Sequence, residues 1–160
     1  MTNRPKNIGT SAETAVVRAA RRLGFPHAER VVLHGTLDQG DVRLTPGLTA
    51  GVIVEVKGGN AARDASDAQV WAWLVETERE RVNARADVAL LVTQRRGVGA
   101  PNAERWWAHL RMGDLARLRD YPAGIHVADD APVRMTFASA LAQLRAAGYG
   151  HPLEPTQEIA

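Results

Sequence analysis

Apolar residues along this chain switch between a helical and a strand period several times, and each switch outlines an element. Residues 1–9 show no pattern and read as a loose arm. From 10 to 23, Ala12, Val16, Ala19, Ala20 and Leu23 recur at helical spacing with Arg18, Arg21 and Arg22 outside them. Gly24 and Pro26 end that helix. Val31, Val32 and Leu33 predict a strand over 28–34, Gly35 and Gly40 frame a turn, and a short strand follows over 41–44. After the Pro46-Gly47 turn, residues 51–57 read as the central strand, which Gly58-Gly59-Asn60 breaks. A second helix is predicted over 66–84, with Val70, Trp71, Leu74 and Val75 as its apolar face.

The unbroken run Val88–Val92 predicts a buried strand over 87–93. A basic, glycine-bearing loop follows at 94–99, then a strand over 106–112 and a short helix over 114–119. Residues 122–135 give no clear pattern. A capped helix is expected over 136–147, with Phe137, Leu141 and Leu144 on one side, and a mobile tail over 150–160. This order predicts an α/β fold, a mixed central sheet flanked by helices, with residues 1–120 as the main domain and 121–160 as a C-terminal extension.

One strand breaks the apolar pattern in an informative way. In Val52-Ile-Val-Glu-Val-Lys57, Glu55 and Lys57 are two apart and share a face. Burying unpaired charge costs several kcal/mol, so this pair requires each other or a ligand. The chain has eighteen Arg but only two Lys, Lys6 and Lys57. Lysine is a compact point charge whose pKa moves on desolvation, whereas arginine stays a broad protonated fork.

Composition narrows the functional classes. One hundred and sixty residues with 45% apolar content suit one domain with a real core. The absence of cysteine excludes disulfides and thiolate metal sites. No signal core or membrane-length apolar run is present, so a soluble cytoplasmic protein is expected. Net charge is +2, yet residues 1–63 carry nine basic against five acidic side chains, and residues 121–160 two against four. The basic part holds the unusual strand. That fits either a polyanionic partner or an ordinary solvated arginine-rich surface.

Glu13, Asp41 and Glu55 are the carboxylates that can carry chemistry. A hard divalent cation takes oxygen ligands and keeps several waters, so one to three carboxylates suffice. A nearby ammonium can orient or help deprotonate a water and stabilise developing negative charge.

Asp41, followed after thirteen residues by Glu55-Val56-Lys57, resembles the signature of the PD-(D/E)xK nuclease superfamily. Gly9-Thr-Ser-Ala-Glu13, His34-Gly35, Gly40-Asp41, Gln69 on the following helix, and Gly97 before a tryptophan-bearing strand are similar to the Holliday-junction-resolvase-like proteins of actinobacteria and their phages. The resemblance spans roughly residues 8–120. It departs from the signature at Gly40, where the superfamily pattern has proline.

The resemblance implies a restriction-endonuclease-like core of order α-β-β-β-α-β and a homodimeric, Mg²⁺- or Mn²⁺-dependent endodeoxyribonuclease acting on branched DNA. Asp41, Glu55, the Val56 carbonyl and Glu13 would hold the metal, Lys57 would serve the attacking water, and Gln69 would orient that water or the lysine. Ser11, Arg63, Arg95 and Arg96 are placed on DNA phosphates by position and charge. Two other readings stay open: a nuclease acting on linear DNA, and a non-catalytic DNA-binding protein on the same scaffold.

Several of these residues have competing structural roles. Thr10-Ser-Ala-Glu13 has the form of a capping box, in which Glu13 serves the helix start. Asp41 after a glycine suits an ordinary turn, and Glu55 with Lys57 suits an ion pair at a sheet edge. Trp71, Trp73, Trp106 and Trp107 can stack bases, but packing is favoured. The five histidines show no ligand spacing. Gly58-Gly59 either lets a DNA backbone approach or only ends the strand.

Overall fold

The computed structural model describes residues 4–31, 39–47, 51–119 and 131–154. Their elements are α1 (Arg4–Arg22), β1 (Glu29–Arg30), β2 (Val42–Arg43), β3 (Val52–Lys57), α2 (Gly59–Arg63), α3 (Asp67–Ala84), β4 (Val88–Thr93), β5 (Trp107–Arg111), α4 (Met112–Leu118), β6 (Pro132–Thr136) and α5 (Phe137–Ala146), with a 3-10 segment at Ala100–Arg105 before β5. The six strands form one sheet in sequence order. Neighbouring strands are antiparallel except β3 and β4, which run parallel. A parallel pair needs a crossover, and α2 and α3 supply it. The fold is therefore α/β, an open mixed sheet flanked by helices.

Strand alternation divides the sheet into two unlike faces. Val52, Val54 and Val56, with Val88, Leu90, Val92, Ala108 and Leu110, join one core with the small residues of α1 and with Phe137, Leu141 and Leu144 of α5. On the other face a small apolar cluster of Ile53, Ala86 and Ala89, with Ala84 against it, is joined along the sheet by the buried Leu91, opposite Glu55 and His109. Glu55, Lys57, Thr93 and His109 share that face, and α3 covers part of it.

The polarity of this face corrects the sequence reading of α3. Val70, Trp71, Leu74 and Val75 are expected to face inward, yet only Leu74 of these is buried; the other buried residues of α3 are Thr77 and Glu80. Trp71 and Val75 are exposed. Thr77 is satisfied within the helix, its hydroxyl donating to the Trp73 carbonyl at 2.9 Å, and Glu80 turns toward Glu55 on the sheet.

Other differences have local causes. The helix α1 begins before its apolar periodicity does, with Pro5 in the first turn, where a missing N–H costs nothing. The expected 28–34 strand is seen only at Glu29–Arg30, and residues 32–38 lie outside the described residues. The C-terminal segment carries β6 as well as the expected helix. Pro132 opens that strand at the sheet edge, where proline is tolerated. The expected tail is fastened at its start, since the His151 N–H donates to the Gly24 carbonyl at 2.8 Å. Trp106 is buried in the core with its indole N–H donating to the Val98 carbonyl at 3.0 Å, while Trp107 faces the opposite way. No helix among the described residues is long and apolar enough to cross a membrane.

Candidate active site

The site is assembled where β2 enters the sheet beside β3. Val42 pairs with Val54 and Arg43 with Ile53, and Asp41 stands at the bend immediately before β2. The Asp41 backbone is threaded between two strands: its N–H donates to the Val54 carbonyl at 3.1 Å, and its carbonyl accepts from the Val31 N–H at 2.8 Å. Asp41 Oδ2 accepts from the Val56 N–H at 2.9 Å. Backbone and side chain together fix this carboxyl.

Gly40 explains the missing proline. Its φ is +82°, and a Cβ there would lie 3.2 Å from Ile53 Cδ1. Proline is locked near −65° and cannot adopt this conformation. An L side chain pays about 1–2 kcal/mol in the left-handed region. Gly40→Ala is thus expected to lower stability by about 1–2 kcal/mol in urea unfolding, and an unchanged midpoint would refute the role given to this glycine.

Glu55 is nearly buried and accepts from Lys57 Nζ at 2.5 Å. Lys57 Nζ also lies 3.9 Å from Glu76 Oε2 and 5.9 Å from the Trp73 ring centroid. Burial opposes its charge, but the carboxylates of Glu55, Glu76 and Asp41 outweigh that and raise its pKa. Lys57 is therefore an ammonium at neutral pH.

Asp41 and Glu55 are within hydrogen-bonding reach of each other, and each pKa rises to about 7. For Asp41 the causes are burial first, then the Glu55 charge, with Glu13 adding to it and the Val56 N–H opposing. For Glu55 burial again comes first; Lys57 opposes it, and the Glu80 charge adds to it. Burial and their closeness to each other and to further carboxylates hold both groups well above the usual carboxylate range. Two buried carboxyls that hold a proton near neutrality form a site that a cation can occupy instead.

The structure separates the other expected site residues. Glu13 is close enough to raise Asp41, but its Oε2 accepts from Arg30 Nε at 2.6 Å. The capping-box reading of Glu13 is overturned, because α1 is already under way at Thr10, whose carbonyl accepts from Thr14 Oγ1 at 2.8 Å. Gln69 is exposed in the first turn of α3, and its side chain forms no hydrogen bond among the described residues. The α3 residues that reach the site are instead Trp73, Glu76 and Glu80. The sequence signal for them was available, since 73, 76 and 80 lie on one helical stripe. It was masked by the stronger apolar signal of Trp71 and Val75.

Ser11 is exposed on α1, and Arg63 is exposed on α2 with Asn60 Oδ1 as its partner at 3.3 Å. Arg96 is paired with Asp64, while Arg95 lies over the Trp107 ring. Gly58 serves packing: a Cβ there would come within 2.7 Å of Ala12 Cβ, so this glycine lets α1 approach the end of β3. His109 is buried against Thr93 Oγ1 at 3.0 Å, and burial, with Arg134 nearby, lowers its pKa to about 4. His34 lies outside the described residues.

Among the described residues no group of three or more His, Cys, Asp or Glu is placed to hold a metal ion. The donor set that does converge is Asp41 and Glu55, with the Val56 carbonyl on the same side of β3 as the N–H that meets Asp41. One or two carboxylates with waters are the usual Mg²⁺ ligation, so these oxygens fit a hard divalent cation. No protein-family model, curated protein or solved structure matches the chain.

Proposed function

We propose that this protein is a divalent-metal-dependent endodeoxyribonuclease with a restriction-endonuclease-like core, acting on branched DNA as a homodimer. One observation carries the reading. Two buried, neighbouring carboxyls, Asp41 and Glu55, stand beside an ammonium, Lys57, at the end of a strand whose backbone helps to hold them. The residue pattern of the PD-(D/E)xK signature falls on these three side chains.

Asp41, Glu55 and the Val56 carbonyl would hold Mg²⁺ or Mn²⁺. The bound cation supplies charge neutralisation at the phosphate and a lowered pKa for an attacking water. The chain's own residues do the rest. Glu55 fixes Lys57 at 2.5 Å, and Lys57 presents its ammonium to the water and to the charge that develops on phosphorus oxygens. Because Lys57 is held protonated, its contribution is orientation and charge rather than proton abstraction. Glu76 and Trp73 restrain its long side chain from the α3 side. Glu13, held by Arg30, adds negative potential at Asp41 without being committed to the cation.

The dimer reading is supported by the outer side of α3. Trp71, Val75 and Val82 are exposed there, an apolar strip that two copies related by a dyad can cover.

The test is cleavage of a labelled four-way junction and of a matched linear duplex, with and without Mg²⁺. Preferential cutting of the junction, abolished in Asp41→Asn, is expected. Equal or better cutting of the duplex selects a linear-DNA nuclease instead. Binding that ignores both metal and Asp41 selects a non-catalytic DNA-binding protein.

A further inference from the structure

Trp107 and Lys57 stand at one level of the sheet. Lys57 is opposite Thr93, Thr93 opposite Trp107, and Trp107 opposite Thr136. Register partners share a face, so the row runs from the candidate site across to the β6 edge. With strands ~4.8 Å apart, Trp107 lies ~10 Å from Lys57.

Two guanidinium groups close on this indole. Arg95 Cζ is 4.1 Å and Arg134 Cζ 5.1 Å from the ring centroid. Arg95 follows β4 and Arg134 belongs to β6, so they approach from the two strands that flank β5. Arg22, Arg30, Arg81, Arg96 and Arg117 are each paired with a carboxylate. Arg95 and Arg134 have no carboxylate or hydrogen-bond acceptor among the described residues. His109, the register partner of Arg134, is uncharged at neutral pH and adds no third positive charge.

A guanidinium lying over an aromatic ring commits its face and leaves its N–H edge open to a bidentate anion. The ring also reduces the freedom of both side chains, so less entropy is lost when an anion binds. Two like charges gathered on one ring, without a carboxylate between them, favour an anionic partner with more than one charge.

We infer that Arg95 and Arg134, braced by Trp107, clamp backbone phosphates of the DNA strand that passes through the Asp41–Glu55–Lys57 site. The inference rests on the nuclease reading and deepens it. The ~10 Å separation is short enough for the clamp to hold the same strand close to the scissile phosphate. Phosphate contacts carry no base information, and the clamp positions the strand without selecting a sequence. Stacking of a base on Trp107 is secondary, because cations already approach this ring from both flanking strands.

The test measures junction binding by the full chain without divalent metal, across roughly 50–200 mM salt, together with cleavage in Mg²⁺. Losing two phosphate contacts makes the slope of log affinity against log salt shallower by about two. Arg95→Gln/Arg134→Gln should show that change, with affinity lower by roughly ten- to a hundredfold at ~0.1 M salt on every sequence tried. Arg18→Gln/Arg79→Gln removes two exposed arginines elsewhere and should leave the slope nearly unchanged. Trp107→Leu keeps both charges but removes the brace, and should retain the slope while weakening binding several-fold. Circular dichroism checks that each variant is folded. If the parent protein binds and cuts while the Arg95/Arg134 variant keeps its slope and affinity, the clamp is refuted and the nuclease reading stands. An equal loss in the control pair also refutes the clamp, because the effect is then general charge. A parent protein that neither binds nor cuts refutes both.

Discussion

Lys57→Ala is expected to reduce metal-dependent DNA cleavage at least about a thousandfold while leaving DNA affinity within a few-fold. A preorganised donor aimed at developing charge contributes roughly 10²–10³ in rate, and loss of water orientation adds to that. A thousandfold loss corresponds to about 4 kcal/mol of transition-state stabilisation. Two further effects follow from the same neighbourhood. The Lys57 hydrogen bond and charge both lower the Glu55 pKa, so Lys57→Ala raises it further and moves the acidic limb of any residual activity to higher pH. Lys57→Arg will not rescue, because a planar fork cannot replace a compact ammonium held 2.5 Å from Glu55 Oε1. Single-turnover cleavage and equilibrium binding, measured side by side, check this. Activity of Lys57→Ala within tenfold of the parent would remove Lys57 from the mechanism.

The degree to which the site was legible in the sequence follows from which residues sit on regular elements. Glu55 and Lys57 lie two apart on a long strand, so their shared face is fixed by the pleat. Asp41 was legible through the spacing of the signature, and the structure brings its carboxyl within hydrogen-bonding reach of Glu55. Glu76 and Glu80 were not legible as site residues. They share one helical stripe with Trp73, but the apolar signal of Trp71 and Val75 masked it, and it is the polar sheet face beneath α3 that turns this stripe toward the site. The capping role that competed for Glu13 fails for a local reason: a capping box requires a helix start, and α1 starts at Arg4. The strand β6 escaped because its alternation covers only Val133 and Met135 after a proline, too short a run to stand out, and its pairing with β5 is non-local. Arg134 was missed with it, although it is one of the two cations on Trp107.

Asp41→Asn is expected to make the metal-free protein more stable at pH 8 and to leave it almost unchanged near pH 4. In the folded parent Asp41 and Glu55 titrate at about 7, against ordinary values of 3.8 and 4.5. Between those limits the folded state binds more protons than the unfolded state, so stability falls as pH rises. The contribution is fully present below the unfolded pKa values and is lost as pH passes through about 7. Asparagine removes one of the two charges, keeps an oxygen for the Val56 N–H, and offers an amide donor to Glu55. Each pKa unit is worth 1.36 kcal/mol, so with partial solvation of the site the gain at pH 8 is roughly 2–4 kcal/mol. Urea unfolding in EDTA at several pH values measures it. Adding Mg²⁺ at pH 8 should then stabilise the parent and not the variant, because a cation relieves the repulsion that asparagine has already removed. At pH 5 protons compete for the same oxygens, and the Mg²⁺ effect on the parent should shrink. This experiment needs no DNA substrate and therefore tests the cation site apart from the reaction. A variant less stable than the parent at every pH, or equal Mg²⁺ stabilisation of both, would mean that Asp41 and Glu55 serve the fold rather than a metal.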